Sequence, residues 1–311
     1  MAIPVINFDE YKNNAPSQIT NIEEELNDAL SNTGFFIATG LGFSNARLKK
    51  VFSMSKTFFA SSMKSKMRYS YLSAEENFGY QPVASENLDP GLPSDLKETF
   101  TMRNVFGSYS DDSRWPNSEF KKVMTDLFKE CLGQAFFLQT ILAKALDLDE
   151  NFFVNVHTGE NIALRLLHYP PFDTDGVEPG QLGAGAHTDY GLFTFLFQET
   201  VGGLEIIDSN GDWLPVVPKQ SSVLVNSGDL LERWTNGRYR SALHRVQPAK
   251  AKGERFSIAF FVDPDSETQI NVLESCIGPG RPKNFENVKA GAYIQSRLKR
   301  SHFGFDKRTN E

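Results

Sequence analysis

Five histidines occur in this chain, at positions 157, 168, 187, 244 and 302, and two of them stand in settings that suit metal chemistry. His187 and Asp189 lie in the run Ala186-His-Thr-Asp-Tyr-Gly191, two residues apart. In an extended chain that spacing sends both side chains to one face, where they can grip one ion. A third ligand must come from elsewhere, and His244, in Ser241-Ala-Leu-His-Arg-Val246, is the best candidate. Two imidazoles and one carboxylate on one side of a metal leave open positions opposite, the arrangement associated with ferrous oxygenases, with room for a cosubstrate and dioxygen. A His-x-Asp pair alone is more often a structural pair than a ligand pair. Arg255-Phe-Ser257, downstream of His244, changes the balance. On a strand these two polar residues share a face, which Ala259 and Phe261 continue. An arginine aimed into a barrel is costly unless it meets an anion. Its planar fork suits a carboxylate, and a hydroxyl two residues on can complete the grip.

The elements that must hold these residues follow from the hydrophobic rhythm. From about residue 160 the period is two. Segments 162–169, 192–198, 204–207, 213–217, 222–226 and 255–262 read as short strands. Turn signals separate them, among them Pro170-Pro171, Gly202-Gly203, Asn210-Gly211 and Lys252-Gly253. Many short, closely spaced strands mean a sandwich or barrel. Before residue 150 the period is helical. Ile19, Ile22, Leu26 and Leu30 mark a helix over Ser17–Asn32, with Gly34 as a stop and a short strand, Phe35–Ala38, after it. Ser44 caps a second helix carrying Leu48, Val51, Phe52, Phe58 and Phe59. Residues 70–117, rich in Gly and Pro, read as a long irregular region with short elements, and such a stretch can act as a lid or a fixed cover. A long amphipathic helix is expected over about 118–147, with core packing through Leu138–Leu142, and a final helix over about 285–300. With no internal repeat or linker, the expectation is one unit over 1–311. Within it lie a helical and irregular portion (1–117), a supporting helix (118–150), a β core (160–265) and a closing helix (285–300).

Composition sets bounds. The net charge of −7 argues against a phosphate-backbone binder, so no nucleic-acid partner is expected. No apolar run is long enough to span a bilayer and no signal peptide is visible, which predicts no membrane role and a cytoplasmic protein. Cys131 and Cys276 make neither a disulfide framework nor a cysteine metal site; Cys131 reads as a small core residue. The 26 phenylalanines predict a core or pocket of plain aromatic surface. No dimerisation signal stands out, so a monomer is favoured.

Taken together, these motifs resemble the isopenicillin-N-synthase-like branch of the iron(II)/2-oxoglutarate-dependent dioxygenases, the group that includes gibberellin oxidases and flavonoid oxygenases. The resemblance runs from Ile3-Pro-Val-Ile-Asn-Phe8 and Gly34-Phe-Phe36 through Asp95-Leu-Lys-Glu-Thr-Phe100, Arg114-Trp-Pro116 and Leu164-Arg-Leu-Leu-His-Tyr-Pro-Pro171. It is strongest over His187-Thr-Asp-Tyr-Gly-Leu192, Gly203-Leu-Glu205, Val225-Asn-Ser-Gly-Asp-Leu230, Asn236-Gly-Arg-Tyr-Arg-Ser241, His244-Arg-Val246 and Arg255-Phe-Ser257. It implies a mainly β fold with α elements: a double-stranded β-helix, or jelly roll, buttressed by N-terminal and C-terminal helices. It implies His187, Asp189 and His244 as iron(II) ligands, and Arg255, Ser257 and Tyr169 as contacts to 2-oxoglutarate. Where the family commonly has Asn-x-Tyr, this chain has Leu167-His168-Tyr169, so the asparagine contribution is absent. The implied reaction uses dioxygen and 2-oxoglutarate to hydroxylate or desaturate a small-molecule substrate, releasing succinate and carbon dioxide. The nearest alternative is an iron-dependent oxidase of the same fold that does not use 2-oxoglutarate, like isopenicillin N synthase or aminocyclopropane-carboxylate oxidase. A non-catalytic small-molecule binder would lack a metal ligand, and a zinc hydrolase would leave Arg255 and Ser257 without a purpose.

Substrate contacts are expected from Tyr80, Phe100, Arg103, Leu192, Trp234 and Phe261, although an ordinary salt bridge serves Arg103 as well. Period two sends His168 to the face opposite Tyr169, as a packing or hydrogen-bonding residue. His157 and His302 are expected to be exposed. Gly40-Leu-Gly42 lacks the third glycine and the βαβ setting of a dinucleotide fingerprint and reads as a tight turn. Gly183-Ala-Gly185 reads as a loop leading to His187.

Overall fold

The computed structural model describes residues 3–12, 16–107, 111–172, 177–208, 210–249 and 253–301. Lys252 and His302, singled out above, lie outside the described residues. Twelve strands carry the architecture: β1 (Val5–Asn7), β2 (Phe35–Thr39), β3 (Gly79–Gln81), β4 (Glu98–Arg103), β5 (Ala163–Tyr169), β6 (Ala184–His187), β7 (Phe193–Gln198), β8 (Leu204–Ile207), β9 (Trp213–Pro215), β10 (Val223–Ser227), β11 (His244–Val246) and β12 (Arg255–Val262). Eight form one sheet in the order β1-β2-β10-β7-β12-β5-β4-β3, and four form a second in the order β6-β11-β8-β9. Neighbours pair antiparallel except β1 with β2. The two sheets close on an apolar layer drawn from both, including Leu167, Leu204, Ile206, Leu224 and Val246. This is the expected jelly-roll class, with helices from both ends of the chain.

Strand β12 shows how one sequence serves two faces. It is flanked on both sides, by β5 and β7. Phe256, Ile258, Phe260 and Val262 alternate into the helix-packed core, where Phe260 meets Phe128 edge-on at 5.1 Å. The other parity, Arg255, Ser257, Ala259 and Phe261, turns to the interior of the roll. Phe260 is fully buried, so its truncation to alanine removes about 3–5 kcal/mol of stability.

The helices behind the sheet follow the predicted pattern. Helix Ser118–Ala145 starts where the Asn117 side chain accepts the Phe120 amide at 2.8 Å. It buries Phe120, Leu127, Cys131, Leu138 and Leu142, spaced as an amphipathic stripe requires. Ser44 caps helix Asn45–Phe59 by accepting from the Arg47 amide. Gly40 and Gly42 both take positive φ, as a tight turn needs.

Two expectations fail, and a third is met only in outline. The stretch 70–117 contains β3 and β4, which extend the large sheet beyond β5. Alternation is hidden there because Lys97, Glu98, Thr99 and Thr101 are all buried, so no apolar period of two is visible. Gly183-Ala-Gly185 is not a loop: Ala184–His187 is β6, and Gly185 packs against Asp89 and Asp95 too closely for a side chain. The last helix begins at Ala290, five residues later than expected, after the short pair Gln269–Ile270 and Val288–Lys289.

Candidate functional site

Pairing of β11 with β6 sets His244 directly opposite His187. Their rings lie 4.2 Å apart between centroids. Asp189 follows β6 by two residues, and its Oδ1 is 4.0 Å from His187 Nε2 and 3.8 Å from His244 Nε2. One donor atom from each of the three residues falls within 4.8 Å of the others. Each imidazole has its other nitrogen engaged: His187 Nδ1 donates to the Gly185 carbonyl at 2.7 Å and His244 Nδ1 to the Ala242 carbonyl at 3.0 Å. A carbonyl only accepts, so both Nδ1 atoms carry the proton and both Nε2 lone pairs are free to ligate. Burial, with His244 beside it, holds His187 well below its ordinary imidazole range, which keeps it neutral. For Asp189 burial opposes ionisation, but the two imidazoles and the Asn226 and Thr194 donors outweigh it and hold the carboxyl below its usual range. Asn226, on β10, donates to Asp189 Oδ2 at 2.6 Å. The donor set therefore fits a divalent metal with borderline and oxygen ligands.

On one side of this cluster lies a small cavity lined by Arg255, Ser257, Tyr169 and Asn226. Arg255 is 2% exposed and makes no ion pair among the described residues. Its guanidinium lies over the Tyr169 ring, Nη2 donates to Gln198 Oε1 at 3.0 Å, and Nη1 donates to Ser257 Oγ at 3.2 Å. Its Nε has no hydrogen-bond partner among the described residues. Burial pulls the guanidinium below its ordinary range, with Tyr169 opposing, the signature of a cation that lacks its anion. A carboxylate next to Arg255 and Ser257 would supply one, so these residues fit a dicarboxylic cosubstrate reaching the metal.

A second cavity, lined by charged and apolar side chains together, shares Tyr169, His187, Asp189 and Phe261 with the first. Lys97, Glu86, Arg165 and Asp263 supply its charges. Lys97 binds Asp95, and also Glu86 at 3.0 Å; Glu86 binds Arg165 at 2.7 Å. Asp95 in turn accepts the Gly185 amide at 2.8 Å, which braces the strand bearing His187.

Of the six residues expected at the substrate, Phe261 lines this cavity and five do not. Phe100 and Leu192 are fully buried in the helix-packed core. Tyr80 is too, with its hydroxyl on Glu98. Trp234 packs on Phe153 at 5.3 Å. Arg103 donates to the backbone carbonyls of Glu75 and Glu160, a structural clamp. His157, expected to be exposed, is completely buried, its Nδ1 donating to the Phe153 carbonyl. His168 behaves as expected: it meets Glu98 at 2.7 Å and stacks on Phe256. The sequence reading missed Glu86, Arg165, Asn226 and Asp263. Arg165 and Asp263 continue the same inward parity as Tyr169 and Arg255, which was the available signal.

Residues 160–264 match the 2OG-Fe(II) oxygenase superfamily, and residues 3–126 match the family described as non-haem dioxygenase in morphine synthesis N-terminal. A 2-oxoglutarate-Fe(II) type oxidoreductase of Emericella nidulans is 30% identical over 316 residues, covering 95% of this chain and 90% of the relative. A proline hydroxylase of Petromyces alliaceus is 28% identical, covering 96% and 99%. Among solved structures, a full-length Neurospora crassa protein in complex with alpha-KG and thymine superposes with a TM-score of 0.85 at 26% identity, covering 96% of each chain.

Proposed function

The chain belongs to the 2OG-Fe(II) oxygenase superfamily, an enzyme using iron(II), 2-oxoglutarate and dioxygen, and from that premise we propose that it hydroxylates or desaturates a small-molecule substrate. His187, Asp189 and His244 hold the iron. Arg255 and Ser257 receive the far carboxylate of 2-oxoglutarate, and Tyr169 flanks it. The substrate enters the cavity lined by Lys97, Arg165, Phe261 and Asp263. The observation that carries this reading is the buried Arg255, without a carboxylate of its own, in the same cavity as the His-Asp-His cluster.

When bound, iron with 2-oxoglutarate and dioxygen supplies the oxidising power, as the 2-oxo acid is cleaved to succinate and carbon dioxide and a substrate C–H bond is oxidised. The protein supplies binding and orientation. The carbonyl-bound Nδ1 protons fix both imidazole planes, and Asn226 fixes the carboxylate. Arg255 sets the distance at which a dicarboxylate can stand from the metal, and its burial makes each hydrogen bond stronger than in water. The two cavities meet at the ligand cluster, so cosubstrate and substrate would both reach the metal from cavities that border it. The thymine held by the similar Neurospora crassa protein supports a small-molecule substrate.

Adding iron(II) and then 2-oxoglutarate to metal-free protein without oxygen tests the reading. A new visible charge-transfer band, absent in His187→Ala, is the expected result. No band from wild-type protein with confirmed iron would favour an oxidase that does not use 2-oxoglutarate.

A further inference from the structure

The charges around this second cavity do not balance. Lys97 and Arg165 are matched by Asp95 and Glu86 in a continuous buried chain of ion pairs. Asp263 stands outside that chain. It is 8% exposed, lines the cavity beside His187, Asp189 and Phe261, and makes no hydrogen bond or ion pair among the described residues. Burial and the nearby Asp189 push its carboxyl up to about 7, with Arg103 opposing too weakly to prevent it. A buried polar group without a partner is expensive and is retained where a ligand completes it.

The position is also built. Asp263 is the next inward residue after Arg255, Ser257, Ala259 and Phe261, so one strand parity runs from the cosubstrate anchor past the metal ligands to this carboxyl. Three residues of chain separate Asp189 from Phe193, and Gly191 among them presses on Asp263: a Cβ there would come 1.9 Å from Oδ1. Only glycine leaves the carboxyl where it is. Nearby, Thr101 lines the same cavity, and its buried Oγ1 has no hydrogen-bond partner among the described residues either.

We propose that Asp263 is the specificity-determining residue of the substrate cavity, accepting a nitrogen-bound proton of the substrate, so that the substrate class is a compact amine or N–H heterocycle. This rests on reading that cavity as the substrate site. An acid would face an unpaired carboxylate across the cavity, and a hydrocarbon would leave it unsatisfied. A donor nitrogen satisfies it and, held at the far end of the inward line, presents neighbouring carbons to the ligand cluster.

The test uses full-length protein with iron(II) and 2-oxoglutarate under argon and follows the melting temperature against probe concentration. Three probes are paired with fully N-methylated forms: pyrrolidine with N,N-dimethylpyrrolidinium, benzylamine with benzyltrimethylammonium, and uracil with 1,3-dimethyluracil. Phenylacetate serves as the anionic counterpart. The expected result is stabilisation by at least one N–H probe, at least tenfold weaker for its methylated form. Asp263→Ala should weaken the N–H probe at least tenfold. Asp263→Asn separates the two sources, because an amide oxygen still accepts from a neutral N–H but loses the attraction to an ammonium. Methylated forms that bind as tightly as their parents, or phenylacetate alone binding, would overturn the proposal. So would an affinity unchanged in both variants. The charge-transfer band, recorded for each protein, separates failures: its loss in the wild type sinks the assignment of the metal and cosubstrate sites, whereas its retention in both Asp263 variants shows those sites intact.

Discussion

Asn226 Nδ2 donates to Asp189 Oδ2 at 2.6 Å, across the gap between β10 and the turn after β6. Asp189 is thereby held from two directions, since its backbone carbonyl also accepts the Asp229 amide at 2.8 Å. The carboxylate proposed as a ligand is thus fixed before any metal arrives, with Oδ1 left to face both imidazoles.

Asn226→Ala should therefore weaken iron(II) binding by roughly 10- to 100-fold while leaving His187 and His244 in place. Competition against a ferrous chelator measures it. An unchanged affinity would mean that the β-roll alone orients Asp189.

Arg255→Ala should raise the 2-oxoglutarate dissociation constant by the equivalent of about 3–5 kcal/mol, the range for breaking a desolvated charge pair. Ser257→Ala removes one hydroxyl hydrogen bond to the 2-oxoglutarate carboxylate and should cost less, about 1.5–3 kcal/mol. Titration of the charge-transfer band with 2-oxoglutarate separates them; near-normal affinity in Arg255→Ala would remove the anchor assignment.

The metal cluster and Arg255 were legible in the sequence because each is a short pattern that period two converts into geometry: His-x-Asp and Arg-x-Ser both reduce to two side chains on one face. The distal His244 needed the β6–β11 ladder to bring it opposite His187, a pairing across 57 positions that no local pattern encodes. The cavity proposed for the substrate was largely illegible for a related reason. Tyr80, Phe100 and Trp234 are aromatic and therefore suggestive, but a jelly roll backed by helices has two apolar faces, and they lie on the other one. Lys97 and Glu86 are charged and therefore look exposed; their mutual pairing is what allows them to be buried. His157 misled in the same way, since its single backbone partner, the Phe153 carbonyl, satisfies one nitrogen of a buried ring.

His157 gives a pH prediction. Burial lowers its pKa to about 4 from 6.5. Between those values the unfolded chain binds the proton and the folded chain does not, so the stability present above pH 6.5 is lost as pH falls toward 4, by on the order of 3 kcal/mol. Urea unfolding of the metal-free protein at about pH 7.5 and about pH 5 should show about 2 kcal/mol of that loss, and His157→Leu should show a smaller one. Equal losses in the two proteins would place the titration elsewhere.

Asp263 has the opposite sign. Its carboxyl is raised from 3.8 to about 7, so the folded chain holds a proton that the unfolded chain releases, and the stability present below pH 3.8 is lost as pH rises through 7. At about pH 8 the metal-free protein carries a buried, unpartnered carboxylate. Asp263→Asn removes that charge at nearly constant shape and should stabilise the protein there by up to about 4 kcal/mol, with the advantage shrinking as pH falls toward about 4. Melting temperatures of the two metal-free proteins from about pH 5 to about pH 8 measure the trend. A variant less stable than wild type across that range would mean that Asp263 already has a stabilising partner, and a carboxylate with a partner of its own has no need of a substrate nitrogen. A widening gain with pH would mark a residue kept at a cost to the fold, as groups reserved for a ligand are.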